Sequence, residues 1–143
     1  MDGYAGDVTA DEAYTLLSKD PTSLLIDVRT HAEWAYVGVP DLSRVGKEPV
    51  LFEWQQYPDM IVRSNFAEEL AKDLRGRGVK TDAPILFLCR SGVRSRAAAV
   101  ALTEVGFTHC FNITGGFEGP PDVDKHRGHR DGWKAKNLPW IQS

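Results

Sequence analysis

The run ILFLC, residues 85–89, is apolar without a break and ends on a cysteine, and RSGVRSRAAAVALTEVG follows it at once. An uninterrupted apolar run of this length suits a strand buried on both faces, and such strands belong to parallel sheets covered by helices on either side. The alanine-rich stretch that begins near Arg94 or Ser95 predicts a helix, closed by Gly106 in a left-handed cap. The chain is thereby committed to a strand–loop–helix unit with Cys89 at the carboxyl end of its strand. That is the edge at which open α/β sheets bind ligands.

The remaining pattern agrees. VTADEAYTLLSKD carries Thr9 and Glu12 at capping-box spacing, followed by an apolar stripe at Ala13, Leu16 and Leu17. Asp20-Pro21 ends that helix. SLLIDVR reads as a strand, HAEWAYVGVP as a short helical turn around Glu33 and Trp34 and then a loop, PVLFEW as a strand, and QQYPDMIVRS as a loop. Asn65 and Glu68 mark another helix start, with Phe66, Leu70 and Leu74 on its apolar face and RGRG as its stop. FTHCFNI is a last strand and TGGFEGPP a turn-rich loop. Strands alternating with helices predict an α/β fold with a mostly parallel sheet. A length of 143 residues suits one domain, 1–143, and the polar stretch 120–143 is expected to be an irregular C-terminal segment.

A formal charge of −3 carries no footprint of nucleic-acid binding. No apolar run reaches the roughly 20 residues of a membrane helix, so no membrane partner is expected. The opening MDGYAGDVTADEAY lacks the basic and apolar regions of a secretory signal, and the expected compartment is the cytoplasm. There, Cys89 and Cys110 are expected as free thiols, Cys110 as a core residue of the last strand. Residues 122–136 hold five Lys/Arg against three Asp and read as a solvated surface segment, with docking of an anionic partner as the alternative; the extra residues between Gly119 and Gly132 read as a surface insertion. Its His126 and His129, with no cysteine nearby, do not make a metal site, and none is expected.

Around Cys89 the residue types have a chemical logic. Gly92 permits a positive φ, which lets successive amides of the loop converge on an anion. The helix start behind them contributes unpaired N–H groups and about half a positive charge. Arg90 and Arg94 add formal charge. All of this favours a thiolate at Cys89 and an anionic substrate beside it. Phosphoryl transfer and sulfur transfer both use such a cradle. Thiol phosphatases carry Cys-x5-Arg; here Cys89 to Arg94 is Cys-x4-Arg, Ser95 holds the phosphatase arginine's place, and Leu88 rather than histidine precedes the cysteine.

The chain resembles the rhodanese-like domains, in particular the single-domain sulfurtransferases. DVRTHAEW (27–34) is similar to the family's Asp-Val-Arg-x3-Glu-Trp element, CRSGVRS (89–95) to its active-site loop, NITGGFEG (112–119) to its Gly-Gly turn, and GWKAKNLPW (132–140) to its tail. Where the family commonly continues Gly-His-Ile-Pro-Gly-Ala, this chain reads GVPDLS. The resemblance implies a three-layer α/β/α sandwich around a mostly parallel five-stranded sheet. It implies Cys89 as the nucleophile and the loop Arg90, Ser91, Gly92, Val93, Arg94 and Ser95 as the substrate-binding residues. Their amides would hold the outer sulfur of a persulfide, and the Arg90 and Arg94 side chains would attract a sulfite group. Asp27 and Arg29 are expected as an ion pair anchoring the first strand, with Arg29 at the pocket rim as the alternative; Phe117 lines the pocket mouth or fills the core.

The implied activity is sulfur transfer from thiosulfate or a persulfide to cyanide, a thiol or an acceptor protein, with no cofactor and from a monomer. The alternatives are a persulfide carrier, a non-catalytic binding or regulatory module, and, more distantly, a thiol phosphatase or arsenate reductase.

Overall fold

The structure, a computed structural model, describes residues 3–56, 61–62, 65–119, 127 and 132–142. In chain order these form β1 (Gly6–Val8), α1 (Ala10–Lys19), β2 (Leu24–Asp27), α2 (His31–Val37), β3 (Val39–Pro40), a 3-10 turn (Ser43–Val45), β4 (Val50–Leu51), β5 (Gln55–Gln56) and β6 (Ile61–Val62). They continue with α3 (Phe66–Gly76), β7 (Ile85–Leu88), α4 (Val93–Glu104), β8 (Cys110–Ile113), α5 (Gly132–Ala135) and β9 (Trp140–Ile141).

β7 shows why the layers form. All four of its side chains are buried, as the unbroken apolar run requires. Alternation sends Ile85 and Phe87 to one face, where they meet Phe66, Leu70 and Leu74 of α3 and Ala98, Ala99 and Leu102 of α4. Leu86 and Leu88 point the other way, into a second cluster with Ala13 and Leu17 of α1 and Trp133 of α5. Each fully buried Leu, Ile or Phe contributes about 1.5–3 kcal/mol through removal from water. The sheet order is β1-β8-β7-β2-β4 and every pairing in it is parallel. The fold is thus the α/β/α sandwich around a parallel five-stranded sheet that the family resemblance implies.

Local signals place the helices. Thr9 and Glu12 exchange backbone and side-chain bonds in a capping box, and Thr30 and Glu33 repeat it at the start of α2. Asn65 precedes α3 as expected, but its side chain makes no cap bond. β1 was not legible: it is three residues long, and it is fixed by pairing with β8 rather than by its own composition. The stretch QQYPDMIVRS is not simply a loop, because β5 and β6 pair antiparallel within it; residues 57–60, 63 and 64 lie outside the described residues.

The C-terminal segment also departs from expectation. Within 120–143, α5 forms and β9 pairs with β3. The cause is Trp133, which is fully buried against the α1 face and donates from its indole nitrogen to the Pro139 carbonyl at 2.7 Å. Lys134 lies 3.9 Å over the Trp140 ring and donates to the Val37 carbonyl at the end of α2. The tail is therefore a strap that fixes α2 from its C-terminal end. His126 and His129 lie outside the described residues. Among the described residues no helix is long and apolar enough to cross a membrane.

Candidate active site

Cys89 follows β7 and continues its alternation, so its side chain points toward α4 with Ile85 and Phe87. Two donors meet its sulfur. The Gly92 amide lies 3.1 Å from Sγ and the Ser95 hydroxyl 3.2 Å. Gly92 has φ +112°, in the region that favours glycine, and from there the chain turns into α4. The first intrahelical bond of α4 runs from the Arg96 amide to the Gly92 carbonyl at 3.2 Å, so the amides of Val93, Arg94 and Ser95 belong to the unpaired first turn.

The loop is held from beneath by the turn after β8. Phe117 N–H donates to the Cys89 carbonyl at 2.8 Å, and the amides of Glu118 and Gly119 donate to the Arg90 carbonyl, both at 3.0 Å. Gly116 makes this approach possible: a Cβ there would lie 2.5 Å from the Cys89 carbonyl oxygen and 2.6 Å from the Arg90 carbonyl. Asn112 of β8 adds a side-chain anchor. Its Nδ2 donates to Asp7 at 3.2 Å, which leaves Oδ1 to accept from Ser95 at 2.5 Å. Ser95 is fully buried and has one hydroxyl proton for two acceptors, the Asn112 oxygen and the Cys89 sulfur.

Arg94 does not stand free beside the cysteine. Its guanidinium forms a fork with Glu33 of α2, at 2.7 Å and 2.9 Å. Burial works against ionisation of Glu33, but the Arg94 hydrogen bond and charge, with the Thr30 backbone and hydroxyl, outweigh it and hold the carboxyl at about 2. Glu33 thus caps α2 and clamps α4 at once.

Cys89 is only 1% exposed, yet it lines the floor of a cavity of about 770 Å³. The loop side of this cavity carries Arg90, Ser91, Val93 and Arg94; α2 supplies Ala32, Glu33 and Val37. Glu118 and Arg127 complete the charged rim. Arg127 comes from the stretch expected to be a mere surface insertion, and its Nη1 donates to the Gly119 carbonyl at 2.6 Å. Sequence reasoning missed Arg127, Asn112, Gly116 and the cavity-facing role of Glu33. The family-like Gly-Gly turn was the available signal for Gly116; no local pattern announces the others.

The remaining predicted residues separate from the cavity. Arg29 is fully buried and paired with Asp27 at 2.6 Å, with its guanidinium 4.2 Å from the Phe117 ring centroid. Both are structural, and Phe117 is core. Cys110 is a free, buried thiol that burial pushes up to about 11, and it pairs with Ile85 at the end of β7 away from Cys89. Among the described residues no cluster of metal-ligating side chains occurs.

Comparison with known proteins gives a family and solved structures of the same fold. A family model described as the STR4 middle domain matches residues 5–143. The crystal structure of Rv0390 from M. tuberculosis is 46% identical, covers 98% of this chain and 99% of its own, and superposes with a TM-score of 0.85. The polysulfide-sulfur transferase homodimer from Wolinella succinogenes is 26% identical over 99% of this chain and 80% of its own, with a TM-score of 0.64. The chloroplastic rhodanese-like domain-containing protein 4 of Arabidopsis thaliana is 26% identical over 94% of this chain, which matches 25% of that protein.

Proposed function

Since the chain belongs to the STR4 middle-domain family and has the rhodanese-like fold, we propose that it is a sulfurtransferase that carries sulfane sulfur on Cys89. The donor is thiosulfate or a persulfide, and the acceptor is cyanide, a cellular thiol or an acceptor protein. One observation carries this reading: the Cys89 sulfur sits at a strand end, faced by the Gly92 amide and the Ser95 hydroxyl, on the floor of an arginine-rimmed cavity.

The reaction proceeds in two displacements. The Cys89 thiolate attacks the outer sulfur of the donor. The donor's S–S bond breaks, and sulfite or a thiolate departs with the electron pair. The new terminal sulfur then lies among the first-turn amides of α4, whose partial positive charge stabilises its negative charge. Cyanide or a thiolate attacks that terminal sulfur and returns Cys89 to its starting state. Covalent catalysis of this form gives ping-pong kinetics. The Cys-x4-Arg loop is one residue shorter than a phosphatase cradle, which disfavours phosphoryl chemistry.

The deciding measurement is the intact mass after incubation with a sulfane donor. A gain of one sulfur, removed by reductant and mapped to Cys89, is the expected result. No mass gain with thiosulfate or with an alkyl persulfide would refute the assignment.

A further inference from the structure

The charges around the cavity do not suit a dianion. Among its described lining residues, Arg90, Arg94 and Arg127 are opposed by Glu33 and Glu118, which leaves one positive charge. The Cys89 thiolate needed for attack cancels that charge as well. Arg94, the cation nearest the reacting residue in sequence after Arg90, has its donor fork turned onto Glu33. Glu33 is ionised at neutral pH, because its carboxyl is held at about 2. Its charge therefore offsets Arg94 under all ordinary conditions.

The shape and lining point the same way. A cavity of about 770 Å³ lies within the roughly 300–1,000 Å³ typical of sites for organic ligands, far more than a small tetrahedral anion fills. Apolar side chains stand beside the charges: Ala32 and Val37 on α2, and Val93, 78% exposed at the first position of α4. A donor with a carbon skeleton covers that surface; thiosulfate does not.

We propose that the site takes an alkyl persulfide, R–S–SH, as its sulfur donor in preference to the thiosulfate dianion, and that Glu33 sets this preference by neutralising Arg94. The proposal rests on the sulfurtransferase reading above. In the loading step the Cys89 thiolate forms a bond to the outer sulfur of R–S–SH. The bond between the outer and inner sulfurs breaks, and the inner sulfur leaves with the electron pair and takes up the proton as R–SH. Cys89 retains the outer sulfur as a persulfide anion. Atoms and charge balance, and no external oxidant or reductant takes part.

The test compares second-order rates of Cys89 persulfide formation, read by intact mass after rapid quench, with cysteine persulfide and with thiosulfate. The full chain, Glu33→Gln and Glu118→Gln are measured side by side. The expected result is a preference for cysteine persulfide of about tenfold or more in the unaltered protein. In Glu33→Gln, the thiosulfate-to-persulfide rate ratio should rise about fivefold or more, as Arg94 is released toward the dianion. Glu118→Gln removes a rim carboxylate without touching the Arg94 fork; it should raise the same ratio by a smaller factor, and it decides the charge argument should Glu33→Gln fail to fold. Equal or faster loading by thiosulfate in the unaltered protein overturns the proposal while leaving sulfur transfer intact. So does an unchanged ratio in the folded variants. Failure of both donors to load Cys89 overturns the sulfurtransferase reading itself.

Discussion

Glu33 and Arg94 lie 61 positions apart in the chain and meet through paired hydrogen bonds of 2.7 and 2.9 Å. Their side chains are 18% and 16% exposed, so this is a half-sheltered fork rather than a surface ion pair. It ties α2, one wall of the cavity, to the first turn of α4, which supports the sulfur.

The fork should be visible in the pH dependence of stability. Glu33 has a folded-state pKa of about 2 against an ordinary 4.5, so its contribution is present above 4.5 and is lost as pH falls toward 2. Arg94→Ala should cost on the order of 2 kcal/mol near pH 7. The gap between the two proteins should narrow as pH drops through that window. Chemical denaturation at several pH values checks this; a gap independent of pH would show that Glu33 is not the linked group.

Ser95 and Asn112 give a paired prediction. Ser95→Ala removes one of the two donors on the Cys89 sulfur and should lower kcat for sulfur transfer by about tenfold. Asn112→Ala removes the competing acceptor, so the Ser95 proton is left to the sulfur. It should cost stability of about 1–2 kcal/mol yet lose less activity than Ser95→Ala. The reverse ranking in kcat would mean that the hydroxyl serves only to position the helix.

Two glycines at the site should respond differently to alanine. At Gly92 an added Cβ meets nothing closer than 3.8 Å, so only its φ of +112° resists. Gly92→Ala should cost about 1–2 kcal/mol. At Gly116 the Cβ would lie 2.5 Å from backbone, and the Cys89 loop must move to admit it. Gly116→Ala should cost more than Gly92→Ala in thermal melts and should also abolish persulfide loading. Equal melting temperatures for the two would contradict the contact.

Trp133→Ala should destabilise by about 3–5 kcal/mol, the range for large aromatic deletions from a core. The residue is fully buried although its flanking sequence is polar. Equilibrium unfolding in urea measures the loss; a change below 1 kcal/mol, as for a solvated tail, would contradict its burial.

Cys89→Ser should abolish thiocyanate formation from cyanide and a sulfane donor, since the other thiol, Cys110, is buried and held protonated. The unaltered protein should hydrolyse aryl phosphates negligibly. Retained turnover in the variant, or robust phosphatase activity, would count against the reading of the loop.

The parts of this protein that are legible in its sequence are those governed by neighbours in the chain. The apolar run at 85–89, the Thr9–Glu12 box and the glycine at 92 each carry a local physical signal, and each element they imply is present. What escapes is set by distant partners. β1 is defined by β8, the Asn112 amide by Asp7, and Glu33 by an arginine on another helix. Trp133 escapes for a related reason: polar neighbours hide a single large side chain that reaches the core. Arg127 reaches the cavity rim from a charge-rich stretch that composition assigns to solvent.

The pairing of Gly6–Val8 with Phe111–Ile113 has a temporal meaning. On the ribosome the first strand has no ladder to join until Phe111–Ile113 has emerged. The Asp7 and Asn112 contact that orients Ser95 cannot exist before then. A nascent or truncated chain lacking residues past 110 therefore carries its cysteine without the Asn112 anchor for Ser95. The hydrogen-bonded footing of the cysteine loop is thus assembled only when the sheet closes.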